Sequence, residues 1–178
     1  MADYQALRLI QSRRLNLIAA TTDLIKNDLA GKKILSAALG VNVGASWPPD
    51  LYGPGAMQFA LTQLDDPTEQ CWSFWYLSTA QEPSELIGIC GFKGRPDQSG
   101  SVEIGYSILT DYQCKGFATE AVLRLVGWAF SHHNVKEVSA ETLPHLSQSI
   151  RVLEKNGFVL TGVGSEAGVV RYAVKSPA

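Results

Sequence analysis

Residues 112–120 read YQCKGFATE, and their types and spacing suit one kind of chemistry, the holding of an anion by backbone N–H groups. A glycine among small residues, placed where a strand gives way to a helix, lets successive amides converge on one point. The unpaired donors of the helix's first turn point the same way, and together they make a site for a phosphate or pyrophosphate. Gly116 removes the Cβ that would block a ligand or strain the turn, Gln113 offers amide donors and Lys115 a cation. A glycine before a helix more often only shapes a turn, so the surrounding elements decide what this one does.

Those elements can be read from periodicity and punctuation. Residues 102–109 (VEIGYSIL) form the strand that feeds the glycine turn. Residues 119–131 form the helix that leaves it, with Val122, Leu125, Val126 and Ala129 at helical spacing. Upstream, residues 8–18 read as an opening strand with polar interruptions. Thr21 or Thr22 caps a helix that Gly31 ends, and 32–39 is a second short helix. Residues 42–55, with Trp47, Tyr52 and several prolines and glycines, are loop, and 56–64 is helical again. Residues 71–77 and 85–92 are strands, with a turn at 94–100 before the central strand. Downstream come a strand at 135–142, a helix at 147–156 stopped by Gly157, and strands at 158–163 and 169–174. This order predicts an α/β (α+β) fold, one domain over residues 1–178. Its central mixed, mostly antiparallel sheet has about seven strands, with helices on both faces.

Composition narrows the function classes. The chain has 178 residues, 46% hydrophobic and 18% charged, with a net charge of −2, which is ordinary for one globular domain. No basic field or basic-aromatic face favours nucleic acid, and no run reaches the roughly 18 apolar residues of a membrane span. The opening MADYQALRLIQSRR lacks the apolar core of a secretory signal. Cys71, Cys90 and Cys114 are odd in number, widely spaced and not at metal-ligand spacing. Reduced thiols in a cytoplasmic protein without a metal site are therefore expected. The G-x-x-x-x-G-K-[ST] of nucleotide kinases is absent.

Five segments in order carry a resemblance: Arg14-Leu15 with Leu17; Ile87-Gly88; Glu103-Ile104-Gly105-Tyr106; Gln113-x-x-Gly116-x-Ala118 followed by Thr119-Glu120-Ala121; and Ser149-x-Arg151-Val152-Leu153-Glu154-Lys155-x-Gly157-Phe158. The chain resembles the GNAT acyltransferases, and within them the branch of the ribosomal-protein alanine N-acetyltransferases, over nearly its full length. The resemblance implies an acetyl-CoA-dependent N-acetyltransferase, with acetyl-CoA as co-substrate and a primary amine, on a protein N-terminus or a small molecule, as acceptor. It implies that the strand before the signature splays from its neighbour and that pantetheine pairs with its main chain around Ser107, Ile108 and Leu109. The pyrophosphate would then sit on the N–H groups of Cys114, Lys115, Gly116, Phe117, Ala118 and Thr119, with Gln113 beside them. It also implies a homodimer through exposed late strands.

For catalysis, an acceptor amine must lose a proton before it attacks. Glu103 on the central strand is the first candidate to take it and His145 the second. Ser149, in the first turn of the late helix, is the candidate donor to the leaving thiolate; otherwise it bonds to backbone. The family often places a tyrosine where this chain has Leu153, and the branch an asparagine where it has Leu146. These departures support a second reading, a CoA-binding sensor or acyltransferase-like module without turnover. Cys114 is either a reactive thiol or a tolerant position whose backbone alone matters. Trp47 and Tyr52 either line the acceptor site or pack their loop, and Lys93, Arg95 and Arg151 are candidates for the 3′-phosphate of CoA.

Overall fold

In the computed structural model, which describes residues 8–177, the central strands send alternate side chains to two faces, and each face meets its own helices. The elements are β1 (Leu9–Gln11), β2 (Leu15–Ala19), α1 (Thr22–Ala30), α2 (Lys32–Leu39), α3 (Pro54–Leu64), β3 (Phe74–Thr79), β4 (Leu86–Phe92), β5 (Ser101–Ile108), α4 (Phe117–Phe130), β6 (Glu137–Thr142), α5 (Ser147–Lys155), β7 (Val159–Val163) and β8 (Val170–Lys175). The eight strands form one sheet in the order β1-β2-β3-β4-β5-β6-β8-β7. Every neighbouring pair is antiparallel except β5 with β6, which is parallel.

Trp75, Leu77, Ile87 and Ile104 turn to one face, where Val122 and Leu125 of α4 and Leu153 of α5 meet them. Phe74, Tyr76 and Leu86 turn to the other, against Leu24, Ile25, Leu35 and Met57 of α1–α3. The buried residues of α4, Ala121, Val122, Leu125, Val126 and Ala129, make the single stripe that the sequence periodicity predicts. Thr21 caps α1, its hydroxyl accepting from the Leu24 N–H at 3.2 Å.

Two differences from the expected elements have local causes. The opening strand is two strands, so the sheet has eight rather than about seven. Ser12 reverses the chain, its N–H reaching the Leu15 carbonyl at 2.9 Å and its hydroxyl accepting from Leu15 N–H at 3.1 Å, and β1 folds back on β2 with Leu9 opposite Ile18. The strand expected from residue 71 starts at Phe74, because Cys71 is left-handed (φ 72°) and follows a 3₁₀ turn at Pro67–Glu69. Residues 1–7, within the segment on which the expectation of no secretory signal rests, lie outside the described residues. Among the described residues no helix is long and apolar enough to cross a membrane.

One carboxylate interrupts the second core. Asp28 of α1, 8% exposed, accepts from Trp47 Nε1 at 2.8 Å, from Tyr76 Oη at 3.1 Å and from Tyr52 Oη at 3.3 Å. Trp47 and Tyr52 are themselves 3% and 1% exposed, so they pack the α2–α3 loop against α1 and β3. Burial pushes the Asp28 carboxyl above the ordinary aspartate range, and the bonds from Trp47, Tyr76 and Tyr52 offset only part of that push. Asp28→Ala strands three buried donors, each costing on the order of 1–3 kcal/mol, and chemical denaturation is expected to register a loss of roughly 3 kcal/mol or more. Asp28→Asn keeps an acceptor oxygen and loses less. The folded carboxyl holds its proton more tightly than the unfolded one. Its contribution to stability therefore falls as pH rises from the ordinary value of 3.8 through the raised one. The advantage of wild type over Asp28→Asn shrinks across that rise; an advantage that grows with pH contradicts the assignment.

Candidate active site

The strand β5 is paired with β4 from Ile104 opposite Phe92 to Ile108 opposite Gly88. With β6 it pairs only at Ser101, Val102 and Glu103, opposite Glu137, Val138 and Ser139. On its other edge β6 pairs with β8 throughout, in six pairs from Glu137–Lys175 to Thr142–Val170, and beyond Ser139 it has β8 alone. A gap opens between two strands of one sheet. The Glu103 carbonyl accepts from Lys93 N–H at 3.0 Å and Leu109 N–H reaches the Ile87 carbonyl at 2.9 Å, so this parity of β5 turns its backbone to β4. A side chain at Gly88 would collide with the Ser107 carbonyl, which places Ser107 in the same set. By alternation the backbone groups of Tyr106 and Ile108 turn into the gap, although Gln113 Nε2 donates to the Ile108 carbonyl at 2.9 Å. The polar atoms free to meet a ligand arm along β5 are therefore those of Tyr106 and the N–H of Ile108, more than those of Ser107 and Leu109.

At the end of β5 the chain makes a 3₁₀ turn at Thr110–Tyr112 and enters α4. Cys114 and Gly116 are both left-handed, at φ 59° and φ 81°, a sequence of conformations that turns successive N–H groups inward. The first helical bond runs from Glu120 N–H to the Gly116 carbonyl at 3.1 Å, which leaves the N–H groups of Phe117, Ala118 and Thr119 without intrahelical partners. Arg14, at the start of β2, fixes this turn from outside. Its Nη1 donates to the Lys115 carbonyl at 2.8 Å, and its Nε donates to Glu120 Oε2 at 2.7 Å. Its backbone N–H and the Ser12 hydroxyl both reach Glu120 Oε1, at 2.9 and 2.7 Å. Burial alone would raise the Glu120 carboxyl, but these bonds outweigh it and hold the group below the usual glutamate range. The guanidinium also lies 4.7 Å over the Phe117 ring. The R-L-x-L segment thus has a physical role that the sequence alone did not assign.

The two sides of the gap differ. Val102, Ile104, Tyr106 and Ile108 face α4 and α5, and there the Tyr106 hydroxyl lies 2.9 Å from the Ser149 carbonyl and 3.1 Å from Ser149 Oγ. Glu103, of opposite parity, faces the other side, where Lys93 forms an ion pair with it. On that side Ser139 and Glu141 of β6 join Arg171 of β8, which donates to Ser139 Oγ at 2.9 Å and lies 3.5 Å from Glu141 Oε1. The Ser165 hydroxyl and N–H bond Glu141 at 2.6 and 2.9 Å. That hydroxyl, outweighing a modest burial penalty, and then the Ser165 N–H, Arg171 and Lys93 keep the Glu141 carboxyl below its ordinary value. Glu141 and Arg171 were not among the sequence candidates. The alternation Glu137, Ser139, Glu141 in a strand whose other face is apolar was the available signal.

Glu103 and Ser149 consequently stand on opposite faces of the sheet, one on each side of the gap. Cys114 is exposed, as is His145. Lys93 is taken up by Glu103, and Arg95 by Glu69 at 2.8 Å and Asp66 at 3.4 Å, while Arg151 is exposed on α5. On the α1–α3 side, Asn42, Ser46, Glu85, Asp111 and Tyr112 line a cavity of about 320 Å³ between the α2–α3 loop and the turn into α4.

A family model described as the acetyltransferase (GNAT) domain matches residues 41–159. The uncharacterized N-acetyltransferase YjdG of Bacillus subtilis (strain 168) is 28% identical over 160 residues, 89% of this chain and 94% of that protein. The ribosomal-protein-S5-alanine acetyltransferase of Vibrio fischeri has a TM-score of 0.68 at 17% identity, over 95% of this chain and 97% of that one. RimL, a ribosomal L7/L12 alpha-N-protein acetyltransferase solved in complex with coenzyme A, has a TM-score of 0.65 at 18% identity, over 94% and 98%. At such identities the two solved structures show a common fold. The family match runs through the α2–α3 loop, the gap, the turn into α4 and all of α5, more than half of the sequence, and the chain belongs to the GNAT acetyltransferase family.

Proposed function

We propose that this GNAT N-acetyltransferase moves the acetyl group of acetyl-CoA to a primary amine, on a protein N-terminus or a small molecule, by direct attack in a ternary complex. The observation that carries the reading is the juxtaposition of an opened β5–β6 pair with the left-handed turn into α4. The gap offers backbone groups to a pantetheine arm, and the N–H groups from Cys114 to Thr119 offer donors and a helix dipole to a pyrophosphate. With the arm along Tyr106 and Ile108, the thioester lies where β5 and β6 part. The amine then approaches from the face of Glu103, Glu141 and Arg171, and the thiolate departs on the face of Ser149. Glu103, directly or through water, accepts the amine proton; nitrogen attacks the carbonyl carbon, the C–S bond breaks and its electron pair leaves on sulfur. The expected homodimer would use the edge strand β7, where Val159, Leu160 and Val163 are exposed.

The second reading, binding without turnover, rests on Leu146 and Leu153; Leu153 is 1% exposed and packs in the core. A thiol-release assay with acetyl-CoA and an amine panel, including peptides beginning with Ala or Ser, separates the two. Steady release supports transfer, and tight CoA binding with no release on any amine supports the module. Gly116→Asp puts a β-carbon 3.2 Å from Arg14 Nη2 at a left-handed position (φ 81°) and a negative charge beside the cradle, and calorimetry is expected to show acetyl-CoA affinity down roughly 30-fold or more, about 2 kcal/mol. Unchanged affinity removes residues 112–120 from the site. Glu103→Gln is expected to lower kcat roughly 100-fold, within the range of general-base effects, and to flatten the rise of the pH–rate profile toward alkaline pH. A profile like that of wild type excludes Glu103 as the base.

A further inference from the structure

We propose that Tyr106 is a positioning residue for the leaving group, holding the Ser149 hydroxyl where it can hydrogen-bond the sulfur as the C–S bond breaks. The inference rests on the reading of the gap as the acetyl-CoA site. Tyr106 stands on β5 beyond its last pair with β6 and faces α5. Its hydroxyl contacts two atoms of Ser149, the carbonyl at 2.9 Å and Oγ at 3.1 Å. A phenol has one proton, and a carbonyl only accepts. The shorter contact therefore uses the tyrosine's proton, and in the longer one Ser149 is the donor. A serine in the first turn of a helix ordinarily gives its hydroxyl to nearby backbone. Here Tyr106 is the sole partner of Ser149 Oγ among the described residues, so the hydroxyl is drawn off its own helix toward β5.

Neither the residue before α5 nor the helix itself supplies an amide or phenol at Leu146 or Leu153. The hydroxyl pair crosses from the strand to the helix instead. Burial pushes the Tyr106 phenol up to about 12, which keeps it protonated at working pH, so it orients without transferring a proton. As nitrogen bonds to the carbonyl carbon and the C–S pair moves to sulfur, Ser149 O–H turns from Tyr106 Oη to the sulfur. Tyr106 O–H swings from the Ser149 carbonyl to Ser149 Oγ. Both hydroxyls keep their protons; the nitrogen sheds its second proton to water as the amide forms, and the released thiolate takes a proton from water.

The test is a double-mutant cycle on kcat with saturating acetyl-CoA and amine, run beside acetyl-CoA affinity and thermal melting. Ser149→Ala is expected to lower kcat roughly 100-fold, as loss of one donor to a developing anion does. Tyr106→Phe is expected to lower kcat about tenfold with acetyl-CoA affinity within about twofold of wild type. Tyr106→Phe/Ser149→Ala is expected to match Ser149→Ala alone, because the tyrosine acts only through the serine. A Tyr106→Phe enzyme with normal kcat and lowered melting temperature, or losses that multiply in the double variant, overturns the inference and leaves the acetyltransferase reading standing. No thiol release by wild type with any amine overturns both.

Discussion

Strand β5 loses its neighbour after Glu103, in the middle of a sheet rather than at its edge, and the site is built around that loss. A buried backbone N–H or C=O without a partner costs on the order of 1–3 kcal/mol, so an interior parting persists only if the rest of each strand is well paired. It is: past Glu103, β5 keeps β4 from Ile104 to Ile108, and β6 keeps β8 through Thr142. Side chains hold the parted strands in place. Glu141 is tied to Ser165 and Arg171 on the β8 side, and Tyr106 is tied to α5. The groups left unpaired are those of Tyr106 and the Ile108 N–H, and these are the ones that the proposed pantetheine amides would meet, as an added strand would.

The anion cradle depends on the same geometry. Because β5 ends five residues beyond its last pair with β6, the turn that follows sets the start of α4 on the unpaired side of the strand. Its left-handed residues are stabilised from a distant part of the chain, through Arg14 on the Lys115 carbonyl and on Glu120. The guanidinium on the outside of the turn fixes its shape, while its charge is met by the Glu120 carboxylate. The parity of β5 completes the division of labour. Even-numbered residues look toward α4 and α5, odd-numbered ones toward a polar surface of opposed charges, so a donor and an acceptor can enter from opposite faces and meet between the strands.

Much of this was legible in the sequence because it rests on local chemistry. The helix expected over residues 119–131, which the structure places at Phe117–Phe130, follows from the spacing of its apolar stripe, the turn at Gly116 from its place before that helix, and the capped start of α1 from the pair Thr21 and Thr22, of which Thr21 is the cap. Nonlocal features were less legible. The reversal at Ser12 is a side-chain bond that a short polar interruption does not announce. The role of Arg14 lies more than a hundred residues away in sequence. Trp47 and Tyr52 looked equally suited to a binding loop or to packing, and only the buried Asp28 beneath them decides for packing. Which backbone groups of β5 meet the gap is a question of parity, set by the register with β4 and invisible in composition. Ser149 could be read as a donor, but its partner Tyr106 could not, since strand and helix meet only in the folded chain.

Amide hydrogen exchange in the presence and absence of CoA tests the central claim most directly, because it reports on individual backbone donors. If the gap and the turn into α4 hold the cofactor, CoA slows exchange at Tyr106, Ile108 and residues 116–119. Ser107 and Leu109, already turned to β4, change little. Protection confined to other elements, or equal protection along both parities of β5, contradicts the account.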